Sequence, residues 1–396
     1  MGASRPELAD VVRKHGKRLT SEYGATLSSQ QRRVLKAIRE CRTAALGGHK
    51  KECDRCGHVD IAYNSCRNRH CPKCQAAARS KWMDARVKDL LEVEYFHVVF
   101  TLPAALGPLA LQNKKLVYGL LFRAVKETLL TIARDPRHLG AEIGFLAVLH
   151  TWGQKLDHHP HVHCVVPGGG LALDGSSWIP CRKGFFLPVR VLSRLFRKKF
   201  LVYLREAFRN ERLVLAGKTR YLRNQRERKA LLRRLDDGEW VVYSKPPFGG
   251  PNQVLAYLAR YTHRVAISNR RILSVGENDV QFSWKDYRKH QRRRRMSLEG
   301  VEFLRRFLQH VLPSGFQRIR HYGILSNRVR GEKLALCREL MDVTKEDPRQ
   351  DDSDFQEGER DAAEKCPKCG TGLMLIVGEI APQSLAVTFL AECDTS

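Results

Sequence analysis

Residues 143–166, IGFLAVLHTWGQKLDHHPHVHCVV, decide the fold class. IGFLAVLHTW (143–152) is an apolar, aromatic and β-branched run that reads as a strand, followed by a polar turn and a second strand, HVHCVV (161–166), which PGGG closes. The two form a hairpin. On the second strand His161 and His163 stand two apart and share one face, while Val162 points to the other. With the turn centred near residues 156–157, His150 lies opposite His163 and faces the same way. Five of the chain's 15 histidines (His150, His158, His159, His161 and His163) fall in this stretch. Three neutral imidazoles on one sheet face would chelate a divalent cation and leave positions on it open. His161 and His163 are the firm pair; His150 is the third ligand in this register, and Asp157, nearer the turn, is the alternative.

Working outward, YFHVVFTL (95–102) is a strand, and Pro108 opens a helix to about Arg134. Beyond the hairpin, 188–210 reads as helix, WVVYS (240–244) as strand, and Pro251 to about Tyr261 as helix. RILSV and VQFSW around GEND form another hairpin (271–284). The order β-α-β-β-α-β-α is that of a split βαβ, a ferredoxin-like antiparallel sheet with helices on one face, so the class is α+β. Toward the N-terminus, LADVV and RRVLKAI show helical spacing up to Gly47-Gly48, and AAARSKWMDARVKDLLEV (76–93) reads as a helix. Between them lies a Cys-rich segment suited to a small zinc-ribbon-like module. Four regions follow: a helical, metal-binding 1–92, the sheet domain 93–330 with basic insertions, an acidic linker 331–365, and a small Cys-x2-Cys tail 366–396.

The chain has 396 residues, enough for two or three domains, and 43% of them are hydrophobic, enough for a real core. Its mean hydropathy is −0.40. No run of about 18 uncharged apolar residues occurs, and the first residues lack a secretory apolar stretch, so a soluble, intracellular protein without a membrane partner is expected. Charge is the strongest compositional signal: 70 Lys+Arg against 42 Asp+Glu give +28. Residues 346–396 carry twelve acidic and four basic residues, so the preceding body holds net +36. That surplus implies a polyanionic partner. Arg outnumbers Lys 46 to 24, which suits bidentate phosphate contacts.

Twelve cysteines without a secretion signal point to metal or reduced thiols rather than disulfides. CDRCGHVDIAYNSCRNRHCPKC (53–74) holds Cys53-x2-Cys56 and Cys71-x2-Cys74, two knuckles that would close a four-coordinate structural Zn²⁺ site. Cys66 and His70 could replace one ligand or serve a second ion. Cys366-x2-Cys369 looks like half of another knuckle. Cys41, Cys164, Cys181, Cys337 and Cys393 are scattered.

GGPNQVLAYLARYTHRVAIS (249–268) places Tyr257 and Tyr261 four apart, on one face of a helix, with Arg260, His263 and Arg264 beside them as cations able to meet phosphate. The basic stretches 218–234 and 286–296, the latter with Arg292, Arg293, Arg294 and Arg295, interleave Tyr221 and Tyr287 with cations. That suits phosphate contact and base stacking. No GxxxxGK[ST] motif is present, in keeping with no nucleotide cofactor.

Together these residues resemble the two-tyrosine HUH rolling-circle transposases of the insertion-sequence ninety-one family. The HUH motif stands as His161-Val162-His163, the tyrosine pair as Tyr257 and Tyr261 in YLARYTHR, and the N-terminal zinc-binding domain as CRNRHCPKCQ with its upstream knuckle. The match covers about residues 30–330. It implies an HUH endonuclease-like palm whose sheet carries the histidines, with a following helix presenting the tyrosines. It also implies a Mg²⁺ or Mn²⁺ cofactor, with single-stranded DNA at element ends and target DNA as partners. The implied chemistry leaves a 5′-phosphotyrosine and a free 3′-OH, in a cytoplasmic, nucleoid-associated protein whose oligomeric state stays open. Rival readings are a non-catalytic zinc-containing DNA-binding regulator, which needs neither the histidines nor the tyrosines, and an HUH replication initiator or relaxase, which the zinc module disfavours.

Overall fold

The computed structural model describes residues 5–75, 89–248, 265–286, 292–341 and 364–383. The chain divides into two compact units, one drawn from residues 1–81, 263–311 and 350–396, the other from 82–262 and 312–349.

In the second unit the strands Tyr95–Thr101, Gly144–Trp152, His158–Pro167, Val242–Phe248 and Ile319–Gly323 form one antiparallel sheet. Its order is 319–323, 144–152, 158–167, 95–101, 242–248. Apart from the 319–323 edge, each strand lies where a split βαβ places it, with the crossovers made by the helices Lys114–Arg134 and Val189–Arg209. Period-two alternation sets the two faces. Phe96, Val98 and Phe100, Phe145, Ala147 and Leu149, and Val162, Cys164 and Val166 are buried in one cluster with Phe122 and Val125 of one helix and Phe196 and Phe200 of the other. The other parity carries Tyr95, Leu146, Val148 and Val165, a smaller apolar group joined by Ile319. It also carries His97, His150, His161 and His163.

The hairpin is the one expected, in a different register. His150 opposes His161, Val148 opposes His163, and an irregularity between His150 and Trp152 brings Trp152 opposite His158. The cause is the connection: Leu156 adopts φ 60° at a five-residue turn and is fully buried, and the Gly153 N–H donates to the Asp157 carbonyl at 2.9 Å. The difference is two residues, so His150 still faces the same way as His161 and His163.

In the first unit, helices Leu8–Tyr23 and Ser29–Glu40 precede a hairpin, Gly48–Cys53 with Val59–Tyr63. Ser28 caps the second helix reciprocally with Gln31. A three-stranded meander, Ile272–Val275, Asp279–Asp286 and Arg292–Glu299, and the helix Gly300–Gln309 also belong to this unit. The Asn269 side chain accepts from the Leu8 N–H at 3.1 Å, Gln31 Nε2 donates to the Leu308 carbonyl at 3.0 Å, and Lys14 pairs with Glu277 at 2.6 Å.

Three boundaries differ from the sequence reading. Residues 265–311 group with the N-terminal residues instead of extending a single 93–330 domain, because these contacts bind them to the first helix and its neighbour. The region read as a linker from 331 begins as a helix, Arg330–Leu340, whose Leu334 and Cys337 are buried with Leu171 and Ile324. The tail 366–396 supplies a strand, Met374–Ile380, that pairs antiparallel with Gly48–Cys53. Residues 76–88 of the expected 76–93 helix lie outside the described residues, as does the stretch 249–264 with Tyr257, Arg260, Tyr261, His263 and Arg264.

Phe100 is fully buried and meets Phe196 edge-on at 5.1 Å between ring centroids, so Phe100→Ala should destabilise this unit by about 3–5 kcal/mol. Tyr243→Ala, at a half-exposed position on the adjoining strand, should cost under about 1 kcal/mol. Urea unfolding followed by tryptophan fluorescence checks both; equal midpoints for the two variants would contradict this account of the core.

Candidate metal centres

Among the described residues, two four-cysteine groups and one three-histidine group each have their ligand atoms within 4.8 Å of one another. The histidine group is His150, His161 and His163, the three expected, whereas Asp157 is exposed and outside it. His150 and His163 are buried; ring centroids lie 4.5 Å apart for His150 and His163 and 4.8 Å for His161 and His163. Trp152 stacks on His150 at 4.7 Å. His161 Nδ1 lies 2.6 Å from the His159 carbonyl, so Nδ1 carries the proton and Nε2 the lone pair of the neutral ring. His163 Nδ1 meets Nε2 of His97 at 2.8 Å. If His163 binds through Nε2, its Nδ1–H donates to His97, whose own proton then sits on Nδ1.

His97 is the residue the sequence reading missed. It is 1% exposed on Tyr95–Thr101, and its only sequence signal is a histidine at the right parity in an otherwise apolar strand. His158 lies on the other side of the strand pair's chemistry: its Nε2 meets the Tyr118 hydroxyl at 2.8 Å. Burial pushes the phenols of Tyr118 and Tyr95 well above their ordinary range, which suits anchors and not nucleophiles.

The cysteines separate differently from their spacing. Cys53 and Cys56 do not join Cys71 and Cys74. Cys41, Cys66, Cys71 and Cys74 form one group, with Cys41 and Cys66 each 3.6 and 3.5 Å from Cys74 respectively and Cys71 3.6 Å from Cys41. A tetrahedral ion with ~2.3 Å Zn–S bonds puts sulfurs about 3.8 Å apart, against ~2.05 Å in a disulfide. Hydrogen bonding from Cys66, helped by the backbone N–H groups of Cys74 and Lys73, holds the Cys71 thiol below its ordinary value. His70 is buried but stands outside the group; its backbone N–H donates to Asn68 Oδ1 at 2.9 Å. The physical reason for the regrouping is the hairpin 48–63. Its five-residue second strand carries the chain about 16 Å from the Cys53/Cys56 turn back to its open end, where Cys41 waits beside the Arg42 N–H to Asn64 carbonyl bond.

Arg292, Arg293, Arg294 and Arg295 occupy the exposed edge strand of the meander, opposite Asp286, Lys285, Trp284 and Ser283. Arg294 is paired with Asp286 at 3.3 Å. Tyr287 is outside the described residues. In the 218–234 stretch, Leu222 and Leu231 are buried while Tyr221 is half-exposed. No described helix is long and apolar enough to cross a membrane.

Comparison with protein families matches residues 11–102 to a profile described as a transposase zinc-binding domain, and residues 144–333 to one described as "Putative transposase". The second carries the histidine hairpin, and the first the Cys41 group. No solved structure matches the chain. A Sinorhizobium fredii protein bearing the same description as the second profile is 54% identical over 383 residues, covering 95% of this chain and 96% of that protein. The transposase for insertion sequence element IS801 of Pseudomonas savastanoi pv. phaseolicola is 26% identical over 314 residues, 78% of this chain and 73% of that one. With a zinc-binding N-terminal domain, a transposase domain carrying the three histidines, and near full-length likeness to such a relative, the chain belongs to the transposases of the IS91 family.

Proposed function

We propose that the chain cuts single-stranded DNA at element ends and joins it to target DNA by attack of a tyrosine hydroxyl on phosphate, leaving a 5′-phosphotyrosine and a free 3′-OH. The observation that supports this most directly is the convergence of His150, His161 and His163 on one face of an antiparallel sheet. Exchanging one phosphate ester for another conserves the bond, so the reaction needs no nucleotide cofactor. Tyr257 and Tyr261 are the nucleophiles of this reading: one holds a strand end while the other cuts. Arg260 and Arg264, close in sequence, neutralise the phosphates on either side.

A free phenol titrates near ~10, so the attack needs help at neutral pH. A divalent cation on the three imidazoles would polarise a non-bridging oxygen of the scissile phosphate. Nitrogen donors suit Mn²⁺ better than Mg²⁺, which prefers oxygen. The chain's part is to present three lone pairs in fixed tautomers: the His159 carbonyl fixes His161, and His97 is the positioning residue for His163. Cys41, Cys66, Cys71 and Cys74 hold a structural Zn²⁺. The Arg292–Arg295 edge takes DNA backbone, in a protein acting on nucleoid DNA in the cytoplasm.

Incubation with a labelled single-stranded hairpin end and Mn²⁺ should give a denaturant-resistant protein–DNA adduct. The adduct should disappear in the Tyr257→Phe, Tyr261→Phe double variant and in His161→Ala and His163→Ala, with DNA binding retained. Adducts surviving in the double variant would place the nucleophile elsewhere; binding without adduct in the unaltered chain would favour the regulator.

His97→Phe keeps a ring but loses the acceptor for His163, so Mn²⁺ affinity should fall about 10–100-fold, while His97→Gln, whose amide oxygen can accept, should recover most of it. Calorimetric Mn²⁺ titration decides, and unchanged affinity in His97→Phe would remove His97 from the site.

Affinity for a single-stranded oligonucleotide should fall with salt by about 0.7 in log K per log unit for each phosphate contact. Replacing Arg292 to Arg295 with Ala should flatten that slope by up to about 3; an unchanged slope would leave this edge without a DNA role.

A further inference from the structure

Cys366 and Cys369 lie outside the zinc-binding profile, which ends at residue 102, yet their thiols reach the N-terminal hairpin. Cys369 Sγ is 3.7 Å from Cys53 Sγ, and Cys366 Sγ is 3.6 Å from Cys56 Sγ. These separations match the tetrahedral edge that the Cys41 group shows. The two loops are also copies of one device. Cys53-Asp54-Arg55-Cys56-Gly57 and Cys366-Pro367-Lys368-Cys369-Gly370 both read C-x2-C-G. Gly57 and Gly370 take φ 65° and 71°, and their N–H groups donate to the carbonyls of Cys53 and Cys366 at 3.1 and 2.9 Å. A Cβ at either would meet open space, so the left-handed backbone, and not lack of room, calls for glycine.

The surroundings fit bound thiolates. The Gly372 N–H points at Cys369 Sγ from 3.3 Å, with the Thr371 hydroxyl at 3.7 Å. A side chain at Gly372 would collide with Cys53 Sγ, so this glycine lets the two loops close. Asp54 accepts from the Leu373 N–H at 2.8 Å and donates its own N–H to the Leu373 carbonyl at 3.1 Å, locking one loop to the other. The three-stranded sheet behind them buries little: Val59, Ile61, Leu375, Ile376 and Val377 are all exposed. A sheet with so thin a core needs another source of stability, and metal ligation is the usual one.

We propose that Cys53, Cys56, Cys366 and Cys369 form a second structural Zn²⁺ site, distinct from the Cys41 group, through which the C-terminal segment closes the N-terminal hairpin. All four positions are protein thiolates, so the ion has no open coordination position and takes no part in strand cutting.

The test uses the full chain. In a His161→Ala, His163→Ala background, so that zinc on the imidazoles is not counted, elemental analysis should find about two zinc ions per chain, one for each cysteine group. Adding Cys366→Ser and Cys369→Ser should leave about one. One zinc in the parent, both retained in the variant, or iron in place of zinc would overturn the proposal. Because the serine variant could lose its fold, alkylation of the unaltered protein provides the independent measurement. Cys56 is exposed, so without a metal iodoacetamide at alkaline pH has access to its thiolate. It should instead stay protected together with Cys369 until a chelator is added, and then both should react. Prompt alkylation of Cys56 in the zinc-loaded protein would contradict the assignment.

Discussion

The alternation of the strand His158–Pro167 is the constraint on which the second unit depends. This strand has antiparallel neighbours on both edges and a different environment on each face. Val162, Cys164 and Val166 enter the helix-covered core, and His161 and His163 face the other way beside His97 and His150. A one-residue slip would drive imidazoles into the apolar cluster and put Val162, Cys164 and Val166 on the histidine face. Burying a polar group without a partner costs on the order of 2–7 kcal/mol, so odd slips are strongly excluded. Only an even shift preserves both faces, and the difference between the expected and observed registers is of that kind. The same alternation therefore specifies the fold and assembles the three imidazoles.

What was legible in the sequence followed from local period and punctuation. The histidine hairpin, the 95–101 strand, the helices ending at Arg134 and Arg209, and the 272–286 hairpin each announce themselves within a dozen or so residues. The three histidines were legible because parity alone brings them together. Groupings that depend on where distant segments dock were not. Cys41 sits at the end of a helix, 25 positions before Cys66, and nothing nearby marks it as that residue's neighbour. Cys53 and Cys71 sit close in sequence but at opposite ends of a hairpin. The two C-x2-C knuckles, Cys53/Cys56 and Cys366/Cys369, stand plainly in the sequence; that they meet follows from strand pairing between distant segments, which has no local signature. His97 was hidden for a simpler reason, since one histidine in an apolar strand reads as an ordinary core residue.

The arginine run shows charge settling into regular structure. Arg292 to Arg295 look like a solvated tract, yet their backbones are in ladder with Asp279–Asp286, and all four side chains remain exposed. Their place on an edge is physically apt, because repelling cations prevent that edge from recruiting another strand. Cationic side chains alternating along an extended backbone also present charge on both faces of the ribbon, a spacing regular enough to follow a chain of phosphates. One composition thus guards the sheet and offers a polyanion surface.

The pairing of Met374–Ile380 with Gly48–Cys53 imposes a timetable on synthesis. The ribosome releases the N-terminal hairpin about 320 residues before its third strand exists, an interval of roughly 15–60 s at ~5–20 residues per second. Throughout it, one edge of Gly48–Cys53 has no partner, and a nascent neighbour on the same messenger offers the same edge. Lys50 and Lys51 stand in the middle of that strand. Two adjacent ammonium groups on an open edge discourage pairing between nascent chains, so these lysines act as a temporary guard, relieved only when the chain's own last strand arrives.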